Sequence, residues 1–446
     1  MNKKRYLLMV TIIGALGGLL FGYDTAVISG AIGFLETKFQ LDANLKGWAV
    51  SSAIFGCIIG VAIAGVIADK IGRKKTLLIT AFLFAISAIG SAIANDFTIF
   101  VIARIIGGVG VGAASMLSPL YISEIAPANK RGTLVSLYQL AIVLGINIVF
   151  FFNYRVANFG TEQWNIETGW RYMLGSETIP ALLFFIALFF IPESPRWLSK
   201  QGRNDEALDI LSKVNSAEEA KEIHQEIKEA LKEEKGTLRE LFAPGLRTAM
   251  IVGVFLALFS QITGINAIMY YAPEILKSAG FGVDSALMQT VIIGIVNTIF
   301  TFIAIKYIDK AGRRALLLWG VSGMILCLFG IGLLYQLDLT SGPWLLMLIL
   351  GFVGCFAMSL GPIPWVLISE IFPTKTRGIA MSLSIVVLWI GVMLISQFTP
   401  VLLEMGETIT FWLFMFNAII LLIFTYKMIP ETKGKTLEEI EKIWKK

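Results

Sequence analysis

Histidine, cysteine and charge are all scarce in this chain. One histidine, His224, and three cysteines, Cys57, Cys327 and Cys355, none spaced as a pair, leave no material for a disulfide framework or a zinc site. Charged residues make up 15% of the 446, against about 25% in an average soluble protein. What stands in their place is apolar: 56% hydrophobic residues, 42 glycines and 31 phenylalanines, with a mean hydropathy of +0.75. No globule of this size can bury that much apolar surface, which excludes a soluble enzyme of one or two domains. The same residues suffice for about twelve membrane spans of roughly 20 residues each. The first apolar run follows Lys3, Lys4 and Arg5 as in a signal peptide. It is too long, carries Asp24 and lacks a small-residue cleavage site, so it reads as a retained span.

Apolar runs fall near 7–30, 47–67, 76–94, 98–124, 133–157, 171–191, 248–277, 285–307, 315–336, 343–370, 379–403 and 409–428. The expected fold class is therefore an all-α membrane protein with twelve transmembrane helices. An even number of spans puts both termini on one side, and 31 of the 37 Lys and Arg fall on that side or its loops. The positive-inside rule makes that side cytoplasmic. The net charge of +5 is then a topology signal spread over loops and tails, and no nucleic-acid partner is expected. No cofactor is expected either.

From Arg196 to Arg247 the chain turns polar. Ser216-Ala-Glu-Glu219 and Thr237-Leu-Arg-Glu240 are placed as capping boxes for short cytoplasmic helices. Ile223, Ile227 and Leu231 recur every fourth residue as an apolar stripe, and His224 beside them reads as a surface residue. Lys435-Thr436 onward predicts a similar short helix in the tail. The expected division is 1–195 and 248–428 as two six-helix halves, 196–247 as the linker and 429–446 as the tail.

The halves repeat. Ser123-Glu124-Ile-Ala-Pro127 with Arg131-Gly132 returns as Ser369-Glu370-Ile-Phe-Pro373 with Arg377-Gly378. Asp69-Lys-Ile-Gly72-Arg73-Lys74 returns as Asp309-Lys-Ala-Gly312-Arg313-Arg314. Pro192-Glu193-Ser-Pro195-Arg196 closes the first half and Pro430-Glu431-Thr-Lys433-Gly434 the second. Two six-span halves entering from the same side are expected to be related by an axis along the membrane normal, an arrangement that suits alternating access. This ordered set of motifs, running through the whole chain, resembles the sugar porter family of the major facilitator superfamily. Within it the chain is most similar to bacterial xylose and glucose proton symporters, through Phe21-Gly-Tyr-Asp24, Arg104-Ile-Ile-Gly-Gly108 and Gly175-Ser-Glu177.

Three ionisable residues lie inside apolar runs, Asp24, Arg104 and Glu177. At about 1.5 Å per residue they fall at one level, roughly 9–14 Å below the nearer surface, where an isolated charge costs several kcal/mol. They are expected to pair. The set sums to minus one, so one proton neutralises it, and with no histidine in any span the proton must sit on a carboxylate. Asp24 is the candidate carrier and Arg104 its partner. The resemblance implies the same, since uniporting members carry a neutral residue at this place in the first span. A static ion pair that fixes helix packing is the competing reading.

A sugar is a ring of hydroxyls with a C–H face, so its site needs amides and aromatic surfaces. Gln139, Gln261, Asn266 and Asn297 are amides that are costly in lipid unless used, and Tyr270, Trp365 and Trp389 offer flat surfaces. Gly361-Pro-Ile-Pro364-Trp365 carries two prolines that should break its span, which is tolerated where a helix lines a cavity. Helix-to-helix glue is the alternative for any one amide. Tyr270-Tyr271, before Pro273, is a candidate outer gate. The chain departs from the symporter pattern at Ile146, Ser260 and Leu388, where relatives usually carry an amide.

Asp69, Arg73, Glu124, Arg131, Glu193 and Arg196, and in the second half Asp309, Arg313, Glu370, Arg377 and Glu431, all fall at cytoplasmic span ends. The resemblance implies that they act as an inner gate between the halves; solvated helix ends worth little each are the alternative. The expected function is a proton-coupled symporter that imports a pentose or hexose across the cytoplasmic (inner) membrane, working as a monomer in the lipid bilayer, and not an enzyme. A uniporter or a polyol or inositol symporter of the same fold, a proton-driven drug exporter and a non-transporting sugar sensor are the rivals. Asp24, the many amides and the shortness of the chain after Pro430 argue against them.

Overall fold

A computed structural model describes residues 3–127, 130–232, 238–243, 246–373, 376–433 and 440, and among them there is no strand. Twelve helices are long and apolar enough to span a membrane: Lys3–Phe39, Ala43–Ile71, Arg73–Ile93, Phe97–Ile125, Arg131–Ala157, Glu162–Phe190, Leu246–Ser278, Val283–Ile308, Arg313–Gln336, Pro343–Glu370, Arg377–Met405 and Glu407–Met428. These are spans 1 to 12 below, and each covers one predicted apolar run. Span 1 continues nine residues past that run, because Glu36 and Lys38 extend the helix beyond its apolar stretch.

By contacts the chain groups into two compact units, one of 1–25, 55–148 and 171–234, the other of 26–54, 149–170 and 235–446. In the first, spans 2 and 4 meet backbone to backbone. A Cβ on Gly56 would stand 2.2 Å from the Ile105 carbonyl oxygen, and one on Gly112 2.1 Å from that of Cys57. Apolar side chains gain nothing by leaving lipid for protein, so such close approach between small residues is what holds helices together in a bilayer. An alanine at either place forces the helices apart at about 1–3 kcal/mol.

Three spans are interrupted, and each interruption has a local cause. Span 6 carries a π-helical turn at Asn165–Gly169 and breaks at Ser176–Glu177 before the helix Thr178–Ala187. Span 7 is two helices, Leu246–Ile262 and Ile265–Ser278, joined through Gly264 at φ +96, where a side chain would also collide with Phe414. Span 10 ends its first helix at Met358 and restarts at Ile363, as the two prolines predict. Broken backbone at membrane depth leaves carbonyls to be satisfied. Asn417 of span 12 does this at span 7, donating to the Ile262 carbonyl at 3.1 Å.

After span 6 come the short helices Pro195–Lys200, Asn204–Ser212 and Ala217–Lys232, with Trp197, Leu198, Ala207 and Ile210 as a small core. The Ser216 capping box forms in both directions: Glu219 N–H donates to Ser216 Oγ at 3.2 Å and Ser216 N–H to Glu219 Oε2 at 2.9 Å. Thr237 of the second box, and the predicted tail helix apart from Ile440, lie outside the described residues. His224 is not a surface residue. It is 8% exposed and its Nε2 lies 3.1 Å from Asn204 Oδ1, because the buried face of its helix is centred on Ala220 and His224. Ile223, Ile227 and Leu231 flank that face, half-buried.

Candidate functional site

The break in span 6 carries a buried carboxylate. Glu177 is the last residue before Thr178 restarts the helix, and it is 1% exposed. Tyr23 and Ser176, hydroxyl to hydroxyl at 2.7 Å, fasten this break to span 1. One residue on, Asp24 is fully buried, and Arg104 of span 4 holds it twice: Nη1 donates to Asp24 Oδ1 at 2.6 Å and Nη2 to the Asp24 carbonyl at 3.1 Å. Glu177 directly follows Ser176, which Tyr23 bonds beside Asp24, so the two buried carboxyls are neighbours. The three predicted residues are therefore one cluster.

Its hydrogen-bond inventory is incomplete. Asp24 Oδ2, Glu177 Oε1 and Arg104 Nε are buried without a partner among the described residues. Two ionised carboxylates offer only acceptors to each other, whereas one proton between them supplies the missing donor.

In the second contact unit, the amides of span 7 meet across its break. Asn266 Nδ2 donates to Gln261 Oε1 at 2.8 Å, and Gln261 Nε2 donates to Ser260 Oγ at 3.0 Å. Gly391 of span 11 makes room, since a Cβ there would lie 3.2 Å from Gln261 Cβ. Tyr270, Asn297 and Trp389 are buried; Trp365 and Gly361 are half-buried at the broken span 10. Tyr271 is fully buried and donates to the Ser396 carbonyl at 2.7 Å, which joins span 7 to span 11. Gln139 is half-buried on span 5, in the first unit.

The repeated motifs make two matching brackets. In the first half Arg73 grips Glu124 with two nitrogens, at 3.0 and 3.1 Å, and Asp69 Oδ1 at 3.0 Å. Glu193 accepts the N–H groups of Arg73 and Lys74, capping span 3 over Gly72 at φ +100. In the second half Arg313 Nη2 donates to Glu370 Oε1 at 3.0 Å, and Glu431 caps the N–H groups of Arg313 and Arg314 over Gly312 at φ +91. Each described pair joins residues of the same half. Arg131 and Arg196 are exposed, and Arg377 donates to the Phe372 carbonyl at 3.2 Å. The side chain of Asp309 lies outside the described residues.

With this geometry in place, a family model decides the relationship: the one described as "Sugar (and other) transporter" matches residues 10–444. The chain belongs to this sugar transporter family. It is similar to the arabinose-proton symporter of Bacillus subtilis (strain 168), 47% identical over 445 residues that cover 99% of this chain and 96% of that one. The D-xylose-proton symporter of Escherichia coli (strain K12) is 42% identical, at the same coverage. Among solved structures, the xylose transporter XylE from E. coli in a partially occluded inward-open conformation superposes with a TM-score of 0.87 at 40% identity, over 97% of this chain and 100% of that one. XylE bound to 6-bromo-6-deoxy-D-glucose gives 0.83, over 99% and 100%.

One set of residues in this family member escaped the sequence. On the side of the bundle opposite the termini, Lys46 of span 2 is bonded to Glu36 of span 1 and to Glu274 of span 7, the latter at 3.1 Å. Lys277 adds a second bond to Glu274 at 3.0 Å. Lys46, Glu36 and Glu274 line a cavity of about 240 Å³ with Tyr271, Glu404 and Glu407 on its walls. Each of these charges sits at the end of an apolar run, where a sequence shows only a loop charge. Their convergence depends on spans far apart in the chain.

Proposed function

We propose that the chain is a proton-coupled monosaccharide symporter of the cytoplasmic membrane, with both termini cytoplasmic, working as a monomer by alternating access between the halves 1–195 and 248–428. The observation that carries this reading is the buried Asp24–Arg104 pair with Glu177 against it, a charge set completed by one proton. A sugar uniporter has no use for such a set, and burying it without function costs several kcal/mol. The names of the arabinose-proton and D-xylose-proton symporters support the same coupling.

In the second unit the sugar is held by Gln261, Asn266 and Asn297 against Tyr270, Trp365 and Trp389 and over the opened backbone at Gly361; Gln139 of span 5 is the candidate sugar contact of the first unit. Ile146 in the first unit is half-buried and Leu388 in the second is 4% exposed, and neither can bond a hydroxyl, so each suits a sugar with fewer hydroxyls to satisfy. A pentose of the xylose or arabinose type is therefore the proposed substrate, ahead of a hexose. Arg131, Arg196 and Arg377, with the two brackets, form the inner gate.

The test is counterflow in proteoliposomes against a panel of pentoses, hexoses and polyols, with and without an imposed proton gradient. Gradient-driven accumulation of a pentose supports the reading. Equilibration without accumulation would make the protein a uniporter, and counterflow of none of the sugars would remove the assignment.

A further inference from the structure

Ser260 is a short polar residue at the end of the inner half of span 7, fully buried at 0% exposure. Its hydroxyl has both of its directions committed. It donates to the Ala257 carbonyl at 2.8 Å and accepts from Gln261 Nε2 at 3.0 Å. Gln261 Oε1 in turn accepts from Asn266 Nδ2 at 2.8 Å. The four groups form one directed chain, from Asn266 through Gln261 and Ser260 to a backbone carbonyl. It crosses the Gly264 break from the outer half-helix to the inner one.

The direction of such a chain is set at its fixed end. A backbone carbonyl can only accept, so the Ser260 proton points to Ala257 and its lone pair to Gln261; that fixes which end of the Gln261 amide faces Ser260, and hence which end Asn266 meets. With those bonds made, the pair keeps three groups for a ligand: the second N–H of Gln261, the second N–H of Asn266 and the carbonyl oxygen of Asn266. Two donors and one acceptor on neighbouring side chains match two adjacent hydroxyls that accept from the amides while one of them donates back.

We propose that Ser260 is a positioning residue for sugar recognition, which fixes the orientation of Gln261 and Asn266 so that they receive a vicinal diol. This rests on the sugar site proposed above and adds to it the residue that orients the site. Ser260 does not touch the sugar.

The experiment is a double-mutant cycle on the purified full-length protein, reading D-xylose and L-arabinose binding by titration together with thermal midpoints. Ser260→Ala leaves the Gln261 amide free to turn, and a lost neutral hydrogen bond predicts affinity falling about three- to tenfold at an unchanged thermal midpoint. Ser260→Thr keeps the hydroxyl and is expected to bind within twofold of the parent. In a Gln261→Ala background, Ser260→Ala should cost nothing further, because the group it orients is gone. A loss from Ser260→Ala that is equally large in that background overturns the positioning role while leaving the sugar site in place. Gln261→Ala binding both sugars as the parent does overturns the site itself, and this inference with it.

Discussion

Lys46 Nζ lies 3.1 Å from Glu274 Oε2, tying span 2 to the second helix of the broken span 7. Only 12% of the lysine side chain and 18% of the glutamate remain exposed, so the pair is partly shielded from solvent and from salt. Glu274 is on the same half-helix as Tyr270 and Tyr271. The ion pair therefore ties span 2 to the half-helix that carries both tyrosines.

Removing the lysine tests that hold. A charge-assisted bond contributes about 1.5–3 kcal/mol, and Lys277 remains on Glu274 in the variant. Lys46→Ala is expected to shift the population roughly tenfold or more toward states open on the side opposite the termini. A cysteine at Ala43, in a background lacking the three native thiols, should react correspondingly faster with a membrane-impermeant maleimide. An unaltered rate in Lys46→Ala removes the latch.

For the charge cluster the expectation follows from counting. Asp24→Asn leaves Arg104 and Glu177, already neutral together, so a proton no longer has a place. Sugar accumulation driven by a proton gradient should fall to equilibration, while counterflow stays measurable. Glu177→Gln makes the same change to the sum and should uncouple as well. Accumulation by either variant equal to the parent's would show that the cluster is a structural ion pair.

The proposed substrate predicts a change of preference. If Leu388 borders the proposed sugar site, Leu388→Gln adds an amide in place of an aliphatic side chain, so glucose affinity should improve relative to xylose, by about tenfold for one well-placed hydrogen bond. Trp365→Ala removes a stacking face and should weaken every sugar bound. Titration of both variants with both sugars checks the pair. A Leu388→Gln protein with the parent's ratio places that residue outside the site.

His224 gives a pH expectation for the linker helices. Burial, and next the Lys228 ammonium, hold its imidazole below the ordinary histidine range, against a smaller opposing effect of Asp205. A depressed value means the folded state prefers neutral imidazole. The stabilisation is therefore present above about pH 6.5 and is lost as the pH falls through the lower folded value. Amide protection over 204–232, corrected for the intrinsic pH dependence of exchange, should fall from pH 7.5 to 5.5 in the parent and less so in His224→Gln. An equal fall in both would assign the effect elsewhere.

Much of this architecture was legible because the bilayer enforces it. An apolar run of some 20 residues has one solution in lipid, so twelve runs meant twelve spans, and the prolines around Ile363 announced the break in span 10. Asp24, Arg104 and Glu177 could be grouped because charge at depth requires a partner. The break at Ser176–Glu177 has no such signal, since Gly175 and Ser176 are ordinary in a span and the fastening hydroxyl belongs to Tyr23. The bonds of Lys46 were equally hidden, as was the burial of His224, which depends on Asn204 in another helix. The motif charges were found, but whether a pair closes within a half or between halves is a matter of three-dimensional reach that spacing does not record.

The brackets bear on how such a chain is made. Glu193 caps Arg73 from 120 residues downstream, and Glu431 caps Arg313 from 118. Each clasp is completed by the last motif of its own half, so the first can close once the ribosome has delivered residue 193, while spans 7 to 12 do not yet exist. Synthesis at about 5–20 residues per second gives that half more than ten seconds alone in the membrane before the chain is finished. A duplicated layout with self-contained clasps lets it use that time to fold, and a lesion in Arg73 or Glu193 would be met by the quality-control machinery before any transport step was at stake.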